Sequence, residues 1–285
     1  MHIFRKAHYS VLLFAFIFAA CGGVATVTGL SDVRELRNAQ AHFDKAANME
    51  NELAVNPLAG ADFSSDPLIE YKSAAAILNE MLGDEVRVDG LRVEGLLGNA
   101  YILQAFTALR ISNLQYKQEK LDTLDDARRK IDDALLKLNG LNLGTRDRVL
   151  KTALPGLVDH AYAMRAIDMT EVYRRLGSAY NELELSLEGV PEEHPIHTYI
   201  RMSQIQVLKL WRERIFEYAP SEQRRAHMKS SQMALRAFNT VCADGFKQQW
   251  QDNKEFKDYL KTLVRPLRPW RIVTNEESCE PVADL

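Results

Sequence analysis

The sequence predicts an all-α protein, an array of α/α helical hairpins, with an irregular helical bundle as the alternative architecture. Three observations carry that expectation. Prolines and glycines fall mostly between long segments rich in Ala, Leu, Glu, Lys, Arg and Gln, the residues with strong helix propensity. The apolar/polar alternation of a half-buried strand is nowhere convincing. Two segments 79 residues apart (168 − 89), DGLRVEGLLGNAY from Asp89 to Tyr101 and DMTEVYRRLGSAY from Asp168 to Tyr180, share Asp, Val, Leu, Gly, Ala and Tyr at matching positions.

The N-terminus comes first. Arg5 and Lys6 precede an apolar run from Val11 to Ala20, followed by small residues, the layout of a secretory signal. Phe18-Ala19-Ala20-Cys21 resembles the bacterial lipobox, with Phe18 where that family usually has Leu. The resemblance implies a signal peptide over residues 1–20, diacylglycerol on Cys21 and a lipid-anchored linker over 21–30. Gly22, standing where an aspartate would hold the protein in the inner membrane, implies the outer membrane. Two other readings stay open. No Asp, Glu, Lys or Arg occurs from Tyr9 to Ser31, which is long enough for an uncleaved spanning anchor. A signal cleaved in the ordinary way would instead release a secreted protein. All three place the body outside the cytoplasm.

Cleavage before Cys21 leaves 265 residues (285 − 20), ample for a substantial core, and takes the formal charge from −3 to −5 by removing Arg5 and Lys6. A mildly acidic body argues against nucleic acid as a partner. Cys242 and Cys279 remain as an even pair in an oxidising compartment. They are expected to form a disulfide tethering the tail, with one buried and one free thiol as the alternative.

The helices follow in order. Ser31 caps a helix to about Leu53, and a loop with Pro57 and Gly60 leads to Asp66-Pro67. Asp66 is a cap and Pro67 a first helical residue for a helix to about Leu82. Long helices are then expected over Asp89 to Glu119 and Thr123 to Leu138. Gly95 to Ile111, apolar almost all round, is expected to be buried on most faces; Asn99, Gln104 and Arg110 argue against a membrane span. Pro155-Gly156 is expected to separate two helical pieces. Asp168 caps a helix to about Leu187, with Glu171 in capping-box register. Helices over His197 to Tyr218, Ser221 to Cys242 and Gly245 to Leu263 complete a body spanning residues 31–263. Residues 264–285 read as a weakly ordered tail.

Leu97, Gly98 and Tyr101 share one side of a helix, as do Leu176, Gly177 and Tyr180. A glycine inside a helix costs roughly 1 kcal/mol relative to Ala, so its presence suggests that another helix packs closely there. With Tyr173, the second set resembles the first helix of a tetratricopeptide repeat, where an aromatic, Leu-Gly and Tyr recur. Ala39, Phe43 and Ala46, and likewise Ala127, Ile131 and Ala134, resemble that repeat's second helix. The spacing of 79 is not a multiple of 34 and no single 34-residue stretch carries both halves, so the resemblance implies a divergent array.

Little in the sequence points to chemistry. EEHPIH groups Glu192, Glu193, His194 and His197, but its spacing matches no zinc pattern and Pro195 interrupts it, so a solvated loop is expected. His160 beside Asp159 lacks a nucleophile elbow and is expected to be a half-buried helix residue. Arg224, Arg225 and Lys229 read as a solvated face. Arg265, Arg268 and Arg271 around Trp270 could touch anionic headgroups or a partner. Tyr71, Tyr101, Tyr173 and Tyr180 could line a groove, although tyrosine at helical spacing more often serves the core. No catalytic residue, metal or cofactor is expected. The expectation is therefore a lipid-anchored, periplasm-facing helical scaffold that binds envelope proteins. The alternative is a small-solute-binding accessory lipoprotein of a TRAP-type transporter, holding a small hydrophobic ligand in an apolar cavity between helices.

Overall fold

The computed structural model describes residues 30–55, 66–191, 194–218, 274–275 and 280–281. The protein is all-α, with adjacent helices packed in pairs; among the described residues, the other regular structure is a two-residue antiparallel pairing of Thr274–Asn275 with Glu280–Pro281. The N-terminal signal with Cys21, the two helices expected after Tyr218, the basic sets around Arg224 and Trp270, and the Cys242–Cys279 pair lie outside the described residues. The chain forms two compact units. Among the described residues, one unit runs to Leu154 and the other begins at Pro155.

In the first unit, α1 (Leu30–Val55) packs on α2 (Pro67–Gly83), α2 also packs on α4 (Leu97–Gln118), and α4 packs on α5 (Leu124–Lys137). A short helix, α3 (Glu85–Val93), joins α2 to α4. The caps follow from the sequence. Asp66, in extended conformation, accepts a bond from the Leu68 amide at 2.6 Å, and Pro67 opens α2, where its missing N–H costs nothing. Asp84 does the same for α3, accepting from the Val86 amide at 2.9 Å. Helix α4 is buried on most faces, with Leu97, Ala100, Tyr101, Ile102, Leu103, Ala105, Phe106 and Leu109 all in the core.

The single long helix expected from Asp89 to Glu119 is instead two, α3 and α4. Gly95 adopts a left-handed φ of +71°. The Leu96 amide then bonds the Leu91 carbonyl at 2.8 Å, and the Gly95 amide bonds that of Arg92 at 3.1 Å, closing a Schellman motif. Glycine has no Cβ to oppose this conformation, so the helix stops there.

The expected break at Pro155-Gly156 is absent, for the opposite reason. Helix α6 runs unbroken from Thr145 to Arg165 with Pro155 inside it, and the boundary between the units falls within it. An interior proline costs about 3 kcal/mol. Val149, Leu150, Leu154 and Val158 flank it and are essentially inaccessible to solvent. Each such side chain contributes roughly 1.5–3 kcal/mol on burial, which offsets that cost.

The second unit contains the rest of α6, then α7 (Met169–Leu185) and α8 (Pro195–Tyr218), which pack together. Asp168 caps α7 by accepting from the Thr170 amide at 2.9 Å.

Candidate functional site

The first repeated segment runs from the end of α3 into α4 and the second caps and opens α7, so the structure places them differently. In α4, Leu97, Gly98 and Tyr101 are buried. A Cβ on Gly98 would fall 2.5 Å from Leu143 and 3.9 Å from Leu138, so the group pressed against this glycine belongs to the connection between α5 and α6 and not to a helix. Lys137 Nζ lies 5.5 Å from the centre of the Tyr101 ring, a cation–π distance. In α7, Leu176 and Tyr180 are buried, and Tyr173, half-buried, stacks on Trp211 of α8 with ring centres 6.3 Å apart. A Cβ on Gly177 would meet Trp211 only at 4.0 Å, an ordinary contact. At Gly156 the backbone of another helix comes close, with a Cβ there falling 2.9 Å from the Ala179 carbonyl oxygen of α7.

The second set of repeat-like residues is core throughout. Ala39, Phe43 and Ala46 are fully buried on α1, and Phe43 meets Tyr71 of α2 edge-on at 5.2 Å. Ala127, Ile131 and Ala134 are buried on α5. Of the four tyrosines considered as groove lining, Tyr71, Tyr101 and Tyr180 are buried.

Around the α1–α2 seam lies a polar set that the hydrophobic pattern conceals. Glu70 is buried; its Oε2 lies 2.6 Å from His42 Nδ1 and its Oε1 accepts from Lys45 Nζ at 2.6 Å. One residue on, Tyr71 donates its hydroxyl proton to the buried Glu50 at 2.8 Å. On another flank of α1, Gln40 Nε2 donates to Asp44 at 2.7 Å. Burial raises the Asp44 carboxyl to about 6, against the opposing pull of the Gln40 bond and the Arg146 charge. Burial likewise raises Asp147, opposed by Arg146, whose Nη2 lies 3.4 Å from Asp147 Oδ1. Gln40 Oε1 is buried without a hydrogen-bond partner among the described residues.

The second unit has its own charged set. Arg175 bonds Asp159 at 2.5 Å and Glu171 at 2.6 Å while its guanidinium lies 4.6 Å from the centre of the Tyr162 ring. Hydrogen bonds from Arg174 and Arg175 hold Glu171 down at about 2. Glu171 thus engages arginines of its own helix. His194 Nδ1 accepts from the Ile196 amide at 3.2 Å at the start of α8, His197 is buried, and His160 is half-buried in α6. Glu192 and Glu193 lie outside the described residues.

The contacts of Glu70 with His42 and Lys45, of Tyr71 with Glu50 and of Arg175 with Asp159 join one helix to another, whereas Gln40–Asp44 and the Glu171 pairs lie within a single helix. The buried carboxylates Glu50, Glu70 and Asp159 each face a cation or hydroxyl donor, which is how a folded chain tolerates buried charge. Among the described residues no group of three or more His, Cys, Asp or Glu is placed to hold a metal ion, and no helix is long and apolar enough to cross a membrane.

The apolar periodicity did not single out Glu50 and Glu70, yet a signal for both exists. Ala39, Phe43, Ala46 and Glu50 continue one i, i+4, i+7, i+11 stripe, and Glu70 falls in register with Pro67 and Ala74. A charged residue on an apolar stripe is the mark of a buried polar contact. Gln40 and Asp44 are i, i+4 neighbours on α1 and Arg146 adjoins Asp147, but the influence of the Arg146 charge on Asp44 arises only through the tertiary packing.

Comparison with protein-family models, with curated proteins and with solved structures finds no match to this chain.

Proposed function

We propose that the protein is a lipid-anchored scaffold of the bacterial cell envelope, held by Cys21 and presenting a tetratricopeptide-like helical body to protein partners in the periplasm. The observation that carries this reading is the pairing of consecutive helices, α1 with α2, α4 with α5 and α7 with α8. Within the first unit α2 also packs on α4, and neighbouring hairpins of that kind present outer faces that suit extended protein segments. The signal-like Val11 to Ala20 run and the lipobox-like Phe18-Ala19-Ala20-Cys21 support the anchor. The close packing around α4 favours a scaffold over a solute-binding accessory lipoprotein, since Ile102, Leu103, Ala105 and Phe106 are buried in the core.

The test is the intact mass of protein extracted from membranes, beside a Cys21→Ala version, followed by crosslinking in the envelope. Loss of residues 1–20 with added acyl chains, absent from the variant, is the expected mass. Retention of Met1 would replace the lipid with a spanning anchor. A hydrophobic small molecule that co-purifies and raises Tm, with no protein crosslinks, would favour the transporter-associated reading.

A further inference from the structure

Helix α3 turns two large apolar side chains to solvent beside the start of α1. Val86 and Val93 are 80% and 85% exposed. They are one heptad apart, so they lie within about 20° of each other around the helix. Between them in sequence, Gly90 faces the first turn of α1, where a Cβ on it would fall 2.7 Å from Asp32 Oδ2. Arg87 Nη1 of the same helix bonds Glu35 Oε2 of α1 at 2.6 Å. The valine strip therefore borders the end of α1 that leads back to Cys21. Nine residue steps separate Cys21 from Leu30 (30 − 21). Fully extended, that segment reaches at most about 32 Å, whereas α3 is only about 14 Å long.

We propose that this face of α3 rests on the lipid bilayer, with Val86 and Val93 entering the boundary between headgroups and acyl chains. The proposal rests on the lipid-anchored reading of Cys21. A short tether holds the strip near the lipid, so a weak contact is occupied through high effective concentration. Asp89, on the neighbouring flank, is paired with Arg92 at 2.9 Å, which lowers the cost of bringing its charge to the interface. A protein occupant fits less well, because two valines fall far short of the roughly 800 Å2 a side that a stable protein interface buries.

The test uses the full chain with Cys242→Ser and Cys279→Ser, carrying Val86→Cys, Val93→Cys or Leu136→Cys labelled with an environment-sensitive fluorophore. Leu136, 68% exposed on α5, is the comparison site. Each protein is extracted from membranes, its mass is measured, and it is placed in phosphatidylethanolamine–phosphatidylglycerol vesicles containing nitroxide-labelled lipid. Emission at positions 86 and 93 is expected to fall about twofold, with position 136 unaffected. Acylated protein with no quenching at 86 and 93, or with equal quenching at 136, would overturn the bilayer contact and leave the anchor standing. Protection of 86 and 93 from an aqueous quencher without lipid quenching would place a protein there and overturn it too. A mass without acyl chains would overturn anchor and contact together.

Discussion

Gly156 lies against the backbone of Ala179, where a Cβ would sit 2.9 Å from the Ala179 carbonyl oxygen and 3.0 Å from Glu182 Cβ. The obstructing atom is backbone and cannot swing aside. Gly156→Ala is therefore expected to destabilise the protein by about 1–3 kcal/mol despite alanine's better helix propensity. Gly83, at the end of α2 with open space around it, supplies the contrast. Gly83→Ala should be neutral or stabilising by up to about 1 kcal/mol. Urea denaturation of the two variants measures both, and a stabilised Gly156→Ala would contradict the close approach of α6 and α7.

The break between α3 and α4 depends on one backbone conformation. Gly95→Ala forces a Cβ into φ +71° and is expected to cost about 1–2 kcal/mol. A more helical and more stable variant, by circular dichroism and denaturation, would show that the continuous helix is the better state.

Tyr71 and Glu50 share a buried hydrogen bond in which the carboxylate accepts. Tyr71→Phe removes the donor and keeps the ring against Phe43, with an expected loss of about 1–3 kcal/mol. A double-mutant cycle with Glu50→Met, which removes the acceptor, isolates the pair, and additive losses would show that the contact carries no coupling energy.

Asp44 sets a pH dependence whose sign follows from its raised pKa. An unfolded aspartate ionises near 3.9, whereas this carboxyl in the folded protein titrates at about 6. Between those values the folded chain binds the proton and the unfolded chain does not, so this group's contribution to stability falls as pH rises from about 4 to about 6 and is level above. Asp147 acts in the same direction. Asp44→Asn keeps an acceptor for Gln40 and cannot ionise. It is expected to flatten that slope and to be more stable than the parent above pH 6, read from denaturation midpoints at successive pH values. Glu171 acts in the opposite sense: its depressed pKa supports the fold above the ordinary glutamate range and fades as pH falls toward about 2. Carboxyl NMR titration separates the two groups.

How much of this was legible in the sequence depended on how local each cause was. Asp66-Pro67 and Asp168 announce helix starts because an Asx cap and a first-turn proline act within three residues. Gly95 and Pro155 show where local reading misleads. Each contains a recognisable helix breaker, yet the chain breaks at the first and continues through the second. Gly95 can complete a Schellman turn with neighbouring carbonyls, whereas Pro155 is held in helix by buried neighbours on both sides. The close approach at Gly156 was likewise hidden, because the glycine's partner, Ala179, comes from another helix.

By itself, the sequence determined the all-α class, most helix starts and the apolar stripes that became core, since propensity, capping and 3.6-residue periodicity act over a few residues. It also carries the lipobox-like segment on which the proposed envelope anchorage depends. Only the tertiary structure decided which helices pair and which glycine sits at a close contact. It also decided that Glu50 and Glu70 are buried with partners from the facing helix, and that Val86 and Val93 stand exposed beside the start of α1. Those outcomes rest on contacts between residues far apart in the chain, whose free energies exist only once the helices have packed.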